Sequence, residues 1–265
     1  MKKIIILLLL IVVVLYAYYD EAVGQHQDDV FRIAYSNINF ENNNPLEVTK
    51  KLLDTDADII LVTEWTGKNL DPIDILSSGY KVVVDSPGNG THGALLFARK
   101  NIGITSIMVD NPVSGPCSMP ILTASLQYRD TLITILGVHA PPPVESCKST
   151  TDKTVRYFAS LVSNRKLAKD IGVGRRGDSI ILVGDLNTLP FDATIGDILN
   201  SGLDDAHKRA GRFMGATWAP FYALPGLARI DYIFSSPELN IQNLWNTRMS
   251  GSDHNLLVAD YDLTH

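Results

Sequence analysis

Short apolar runs recur along the chain, and several of them stop abruptly at Asn, Asp, Glu or His. The runs at 30–35, 58–62, 132–136 and 179–183 are too short for helices and rich in Ile, Val and Leu, so they read as buried strands. They lead into Ser36-Asn37-Ile38-Asn39, Thr63-Glu64-Trp65, Gly137-Val138-His139 and Gly184-Asp185-Leu186-Asn187. Two more polar motifs, Arg229-Ile230-Asp231-Tyr232 and Ser252-Asp253-His254, adjoin apolar runs near the C-terminus. Hairpin-like pairs are expected at 80–84 with 93–98 and at 122–128 with 132–138, the second turning at Arg129-Asp130. Helical spacing marks 46–53, where Asn44 can cap and Pro45 suits the first turn. It also marks 151–171, capped by Thr150 or Thr151, with Val155, Phe158, Ala159, Val162, Leu167 and Ala168 on one face. A third helix, 192–200, closes at Ser201-Gly202. Buried strands mixed with covering helices predict an α/β fold of two packed sheets with helices outside. No linker-like tract divides the chain after residue 30, so 30–265 reads as one domain.

A polar residue at the end of a buried strand lies at the rim of its sheet. Six such motifs predict rims that converge on one polar site. Asn37 and Asn39 are two apart, as are Asp185 and Asn187, so each pair shares a strand face. A carboxylate such as Glu64 after a buried run is costly unless it is paired or metal-bound. Oxygen ligands suit Mg²⁺ or Mn²⁺, and His139 and His254 suit proton transfer or phosphate binding. Taken singly, each motif has a plainer reading: a strand-end salt bridge for Glu64, a turn for Gly-Asp-Leu-Asn, a structural histidine for His139. Trp218 reads first as a packing residue and second as a cleft residue that stacks on a base or ring.

In combination and in this order, the motifs resemble the endonuclease/exonuclease/phosphatase superfamily, from about residue 30 to 261. Gly-Asp-Leu-Asn after 180–183, then Arg-Ile-Asp-Tyr-Ile, then Ser-Asp-His, carry most of that resemblance. The resemblance implies a deoxyribonuclease I-like four-layer α/β/β/α sandwich with the site at one end. It implies that Glu64 is the principal metal ligand, aided by Asn37, by Asn39 and by Asp253 on the metal side. It implies that Asp185 positions or deprotonates water, that Asn187 holds the phosphate and the transition state, and that His139 binds the scissile phosphate. His254 would meet the phosphate as acid or charged stabiliser, oriented by Asp231. Arg229 lies where it could meet substrate, though bracing its loop is the simpler role. The expected enzyme is a Mg²⁺- or Mn²⁺-dependent phosphoester hydrolase with nuclease, phosphatase and phospholipid or sphingomyelin phosphodiesterase as open specificities. A catalytically inactive binding scaffold of the same fold is the alternative of another class. The 137–143 and 215–218 segments look most like a bacterial membrane-anchored branch.

Charge and the N-terminus refine this picture. Lys2-Lys3 precede an apolar run from Ile4 to Leu15, extended by Tyr16, Tyr18 and Tyr19. Residues 1–19 therefore read as a signal anchor, or else a cleaved signal peptide, followed by a polar linker at 20–29. Either places the domain outside the cytoplasm, at the membrane or secreted. In that compartment Cys117 and Cys147, in loops flanking adjacent strands, are expected to pair; two free thiols are the alternative. The net charge of −6 argues against strong non-specific duplex binding. The densest basic stretch, Arg165 to Lys169 with Arg175-Arg176, reads as a solvated helix face. The candidate aromatic loops for lipid contact, 65–70 and 221–227, carry little signal. A monomer is expected.

Overall fold

The computed structural model describes residues 23–27, 29–164, 179–212, 215–219 and 226–263. The anchor segment 1–19, the basic stretch 165–176 and most of the 221–227 loop lie outside the described residues. Among the described residues, no helix is long and apolar enough to cross a membrane.

Among the described residues, two six-stranded mixed sheets form the body. With strands numbered along the chain, β1 is Val30–Asn37, β2 Ile59–Thr63, β3 Tyr80–Ser86, β4 Ala94–Arg99, β5 Gly103–Asp110 and β6 Ile121–Tyr128. Then come β7 Thr131–His139, β8 Ser179–Asp185, β9 Asp204–Asp205, β10 Asp231–Ser235, β11 Asn240–Arg248 and β12 Asn255–Asp262. One sheet has the order β11-β12-β1-β2-β4-β3 and the other β5-β6-β7-β8-β10-β9. Each holds one parallel pair at its centre, β1 with β2 and β7 with β8.

Three apolar clusters define four layers. Alternate side chains of the central strands, including Phe31, Ile33, Tyr35, Ile59, Leu61, Ile133, Ile135, Ile181 and Ile233, meet between the sheets. The opposite faces of β1 and β2, through Ala34, Ile60 and Val62, pack under helices α1 (Pro45–Leu53) and α2 (Pro72–Ser77). Leu136, Val138, Leu182, Tyr232 and Phe234 pack under α3 (Lys148–Ser163) and α4 (Ala193–Asn200). This period-two sharing of one strand between two cores is what a strand buried on both faces requires. The result is the expected four-layer sandwich, a single domain from about residue 30.

The first predicted helix starts at Pro45 as the sequence implies, but Asn44 makes no side-chain capping bond. The second begins three residues before the predicted 151, at Lys148, directly after the disulfide half Cys147. The structure joins Cys117 to Cys147, with Cα atoms 5.6 Å apart, and so ties the loop before β6 to the start of α3. A short helix α5, Ala206–Arg209, follows β9. At the far end of β1, buried Arg32 spans the sheet. Its Nε and Nη2 donate to Asp260 at 2.6 and 2.9 Å, and Nη1 donates to the carbonyls of Gly24 and Thr55.

Candidate active site

Both parallel pairs point their C-terminal ends to the same end of the sandwich. Asn37 closes β1, Glu64 follows β2, His139 closes β7 and Asp185 closes β8. The antiparallel neighbours reach that end with their beginnings. Asp231 opens β10, facing Asp185 in register, and His254 directly precedes β12. Four motifs thus close their strands and two open theirs.

The six side chains converge. Asn37 Nδ2 donates to Glu64 Oε1 at 2.9 Å and to Asp185 Oδ2 at 3.4 Å, linking the two sheets. The amide of Phe40 donates to Glu64 Oε2 at 2.9 Å. Asp185 Oδ1 accepts from the Asn187 amide at 2.8 Å, and Asn187 Nδ2 donates to the Ala140 carbonyl at 2.8 Å and to Asp185 Oδ2 at 3.3 Å. His139 Nδ1 donates to the Thr91 carbonyl at 3.0 Å. That bond fixes the tautomer and leaves Nε2 facing Glu64 Oε1 at 3.8 Å and Asp185 Oδ2 at 3.7 Å. His254 Nδ1 donates to Asp231 Oδ2 at 2.9 Å and Oδ1 at 3.1 Å, and its Nε2 lies 3.8 Å from Asp185 Oδ2.

The remaining sequence candidates fall in three places. Asn39 and Asp253 sit at the mouth, where Asn39 Nδ2 donates to Asp253 Oδ1 at 3.1 Å. Trp218 braces that carboxylate, with Nε1 donating to Asp253 Oδ2 at 2.9 Å, and its backbone bridges to His254. Arg229 is not brought into the cluster. Its guanidinium is committed to Asp205 at 2.8 and 3.2 Å and lies over the Tyr232 ring.

The backbone is strained at the site. Asn39, Glu64 and Asn187 are non-glycine residues with φ of 60°, 61° and 48°. Such left-handed residues persist only where their surroundings hold them, and each lies just beyond a strand end. Gly184, with φ 150°, lies against β7 so closely that any Cβ would meet the Val138 carbonyl oxygen. That contact delivers Asp185 into register with His139.

Two residues that sequence reasoning passed over hold this geometry. Thr217 Oγ1 accepts from the amides of Ile230 at 3.1 Å and Asp231 at 3.0 Å, while its carbonyl accepts from Asn255 at 2.7 Å. One buried threonine thus clasps the starts of β10 and β12, which carry Asp231 and follow His254. Asn69 Nδ2 donates to the carbonyls of Glu64 at 2.8 Å and Asn39 at 2.9 Å. Neither has a periodicity signal. Thr217 stood in a motif already noticed, and only turn chemistry in 66–69 hints at Asn69.

The electrostatics are those of buried carboxylates short of cations. Burial pushes the pKa of Glu64 up, and burial with the neighbouring Asp231 charge pushes Asp185 well above the usual carboxylate range. Burial, with the charge on His254, drives His139 down to about 3, so it is neutral. Burial opposes the charge on His254, but Asp231 and Asp185 together outweigh it and raise its pKa to about 10. Among the described residues, the ion-pair partners of Glu64, Asp185 and Asp231 are His139 and His254, not Lys or Arg.

The donor set therefore fits a divalent cation. Glu64 Oε1, Asp185 Oδ2 and the unprotonated Nε2 of His139 are acceptors turned toward one another, with Asn37 Nδ2 the donor between the two carboxylates. By distance alone, Asp185, Asp231 and His254 also form a group able to hold a metal, with ligand atoms within 4.8 Å of one another. Within that group, however, His254 Nδ1 is already bonded to both oxygens of Asp231.

Comparison with known proteins places this geometry. The model of the Endonuclease/Exonuclease/phosphatase family matches residues 34–254, which span all six strand-end motifs. No curated protein matches the sequence. Truncated TDP2 from Caenorhabditis elegans is 18% identical, with a TM-score of 0.71 over 88% of this chain and 97% of that one. An endonuclease/exonuclease/phosphatase from Bacteroides vulgatus is 19% identical, with a TM-score of 0.67 over 89% of this chain and 99% of that one. The 3′ phosphatase NExo from Neisseria, bound to a product DNA hairpin, is 16% identical, with a TM-score of 0.68 over 88% and 99%. At these identities the likeness is one of fold. With most of its length matched by the family model, the chain belongs to the Endonuclease/Exonuclease/phosphatase family of metal-dependent phosphoester hydrolases.

Proposed function

We propose that this chain hydrolyses a phosphoester by direct in-line attack of water, with Mg²⁺ or Mn²⁺ held chiefly by Glu64 at the acceptor cluster it forms with Asp185 and His139, with Asn37 bridging the two carboxylates and with Asp253 and Asn39 on the same side. The observation that carries the reading is the convergence of Glu64, Asp185 and the neutral His139 on one space, with the His254–Asp231 pair opposite. The cation, when bound, would neutralise charge on the phosphoryl oxygens. Asp185, with its raised pKa, takes a proton from the attacking water. The water oxygen bonds phosphorus, the bond to the ester oxygen breaks, and His254 gives its Nε2 proton to the leaving oxygen. Asp231 fixes the ring of His254 and keeps it charged. Asn187 and His139 border the space the phosphoryl group would enter, and His139 Nε2, unprotonated in the free site, becomes a donor to that group on taking up a proton. Arg229, tied to Asp205, braces the strand that carries Asp231, and Trp218 orients Asp253.

The same reading places the domain outside the cytoplasm, held by residues 1–19. Its supports are the charged start and apolar run of that segment and the Cys117–Cys147 bond, which suits an oxidising compartment. A nucleic-acid substrate is the second reading, favoured by the DNA bound to the similarly folded NExo. The test is hydrolysis of bis-p-nitrophenyl phosphate, DNA, RNA and phospholipid with Mg²⁺, Mn²⁺ or chelator, with Asp185→Ala as control. Metal-dependent turnover lost in the variant supports the assignment. Turnover that survives either chelation or the substitution refutes it.

A further inference from the structure

We infer that the substrate of this site is a phosphoester carrying an apolar organic group, taken up from water, rather than a polynucleotide; this rests on the hydrolase reading above. The observation is a collar of exposed apolar side chains on the loops that bear the site. Phe40 follows Asn39, Val144 follows the His139 strand, Leu189 and Phe191 follow Asn187, and Leu227 precedes Arg229. Phe191 is 85% exposed, Leu227 63% and Val144 53%. Large apolar side chains at such exposure, gathered on the loops of one site, mark a surface that meets an apolar ligand.

Charge decides what kind of ligand. The collar loops, 38–44, 140–147, 186–192 and 226–230, contain Glu41, Glu145 and Asp192 and one cation, Arg229, which Asp205 holds. Lys148, which begins α3 near Asp192, and Lys68, on a neighbouring loop, add two exposed cations. A polyanionic strand would need several cations along its path. One phosphoryl group with an apolar substituent needs none beyond the site itself.

The collar is not explained by the bilayer that residues 1–19 would enter. The Gly24 and Gln25 carbonyls are bonded to the Arg32 guanidinium at the start of β1, and the His26 ring bonds the Val30 carbonyl. β1 then runs eight residues to Asn37 at the site, about 23 Å at a strand's rise per residue. Residues 23–27 therefore lie at the opposite pole from the site, and the collar faces away from them.

The experiment uses the full-length chain in nanodiscs with metal and a series of alkyl p-nitrophenyl phosphate diesters, from methyl through butyl to hexyl. In each, water's oxygen bonds phosphorus and p-nitrophenolate leaves, so only the alkyl group changes. The ratio of kcat/KM for hexyl over methyl is expected to be about tenfold or more, and to fall toward one in Leu189→Ser/Phe191→Ser. A ratio near one in the wild type, or a ratio unchanged in the double variant, overturns the apolar-substrate inference while leaving hydrolysis standing. So does faster turnover of an oligonucleotide than of every alkyl diester. Failure to hydrolyse any of these esters overturns the hydrolase reading and this inference together.

Discussion

Replacing Asp231 with Asn tests the pairing on which proton transfer depends. The carboxylate is fully buried and accepts from His254 Nδ1 at 2.9 and 3.1 Å. It is foremost among the charges that raise His254 to about 10 against the opposing effect of burial. In the wild type, His254 therefore stays protonated through neutral pH and loses its proton as pH rises through about 10. A leaving-group acid must be protonated, so loss of the His254 proton should set the alkaline limb, while protonation of the base Asp185 sets a separate acid limb. Removing the Asp231 charge leaves burial opposed by less, and the alkaline limb moves to lower pH. A bound cation lowers the limb in both proteins, so the comparison is made at equal metal loading. Loss of a positioned acid or its orienting partner costs about 10²–10⁴ in kcat. Stability follows the same sign. His254's folded pKa exceeds the unfolded 6.5, so its contribution is complete below about 6.5 and fades as pH rises toward 10. In the variant that fading starts earlier. The assay is a pH–rate profile of kcat with metal affinity from calorimetry. A kcat within threefold of wild type, with an unmoved alkaline limb, would refute the pairing's role, and so would loss of metal binding in place of loss of rate.

Three further outcomes follow from the same geometry. Thr217→Val removes the acceptor for two backbone amides, so stability should fall by about 1–3 kcal/mol; kcat should fall about tenfold or more through displacement of Asp231. Thr217→Ser should restore both, in thermal melts and steady-state kinetics, and a Val variant with normal kcat would contradict the clasp. Glu64→Gln should weaken Mg²⁺ or Mn²⁺ binding by about 100-fold. Unchanged affinity by titration calorimetry would remove Glu64 as a ligand. The Cys117–Cys147 bond closes a separation of 30 residues, so the Cys117→Ser/Cys147→Ser pair should lose about 2–4 kcal/mol in urea unfolding; a loss below about 0.5 kcal/mol would contradict this.

The sequence was legible where both faces of a strand are buried. β1, β2, β7 and β8 are near-continuous apolar runs, and their polar ends mark the site directly. β10 and β12 carry site residues at their beginnings, which a reading of where runs stop does not separate from turns. β5 and β11 were not legible. β5 is an edge strand with alternating exposure, and β11 carries Asn, Gln and Thr where an apolar run would be sought. Arg229 was hard to place because an arginine near a phosphoester site looks like a substrate contact, and only Asp205, 24 residues away, shows what it holds. The roles of Thr217 and Asn69 are hidden for the same reason. Their work is done by bonds to backbone groups distant in sequence, which no local pattern encodes.

The central claim is that one water attacks phosphorus directly, with no enzyme-bound intermediate. Its most direct test is the stereochemical course of hydrolysis of a chiral phosphorothioate diester in ¹⁸O-labelled water. Inversion at phosphorus, with one labelled oxygen in the product, is the predicted result. Retention would mean two displacements and a covalent intermediate, and would contradict the account.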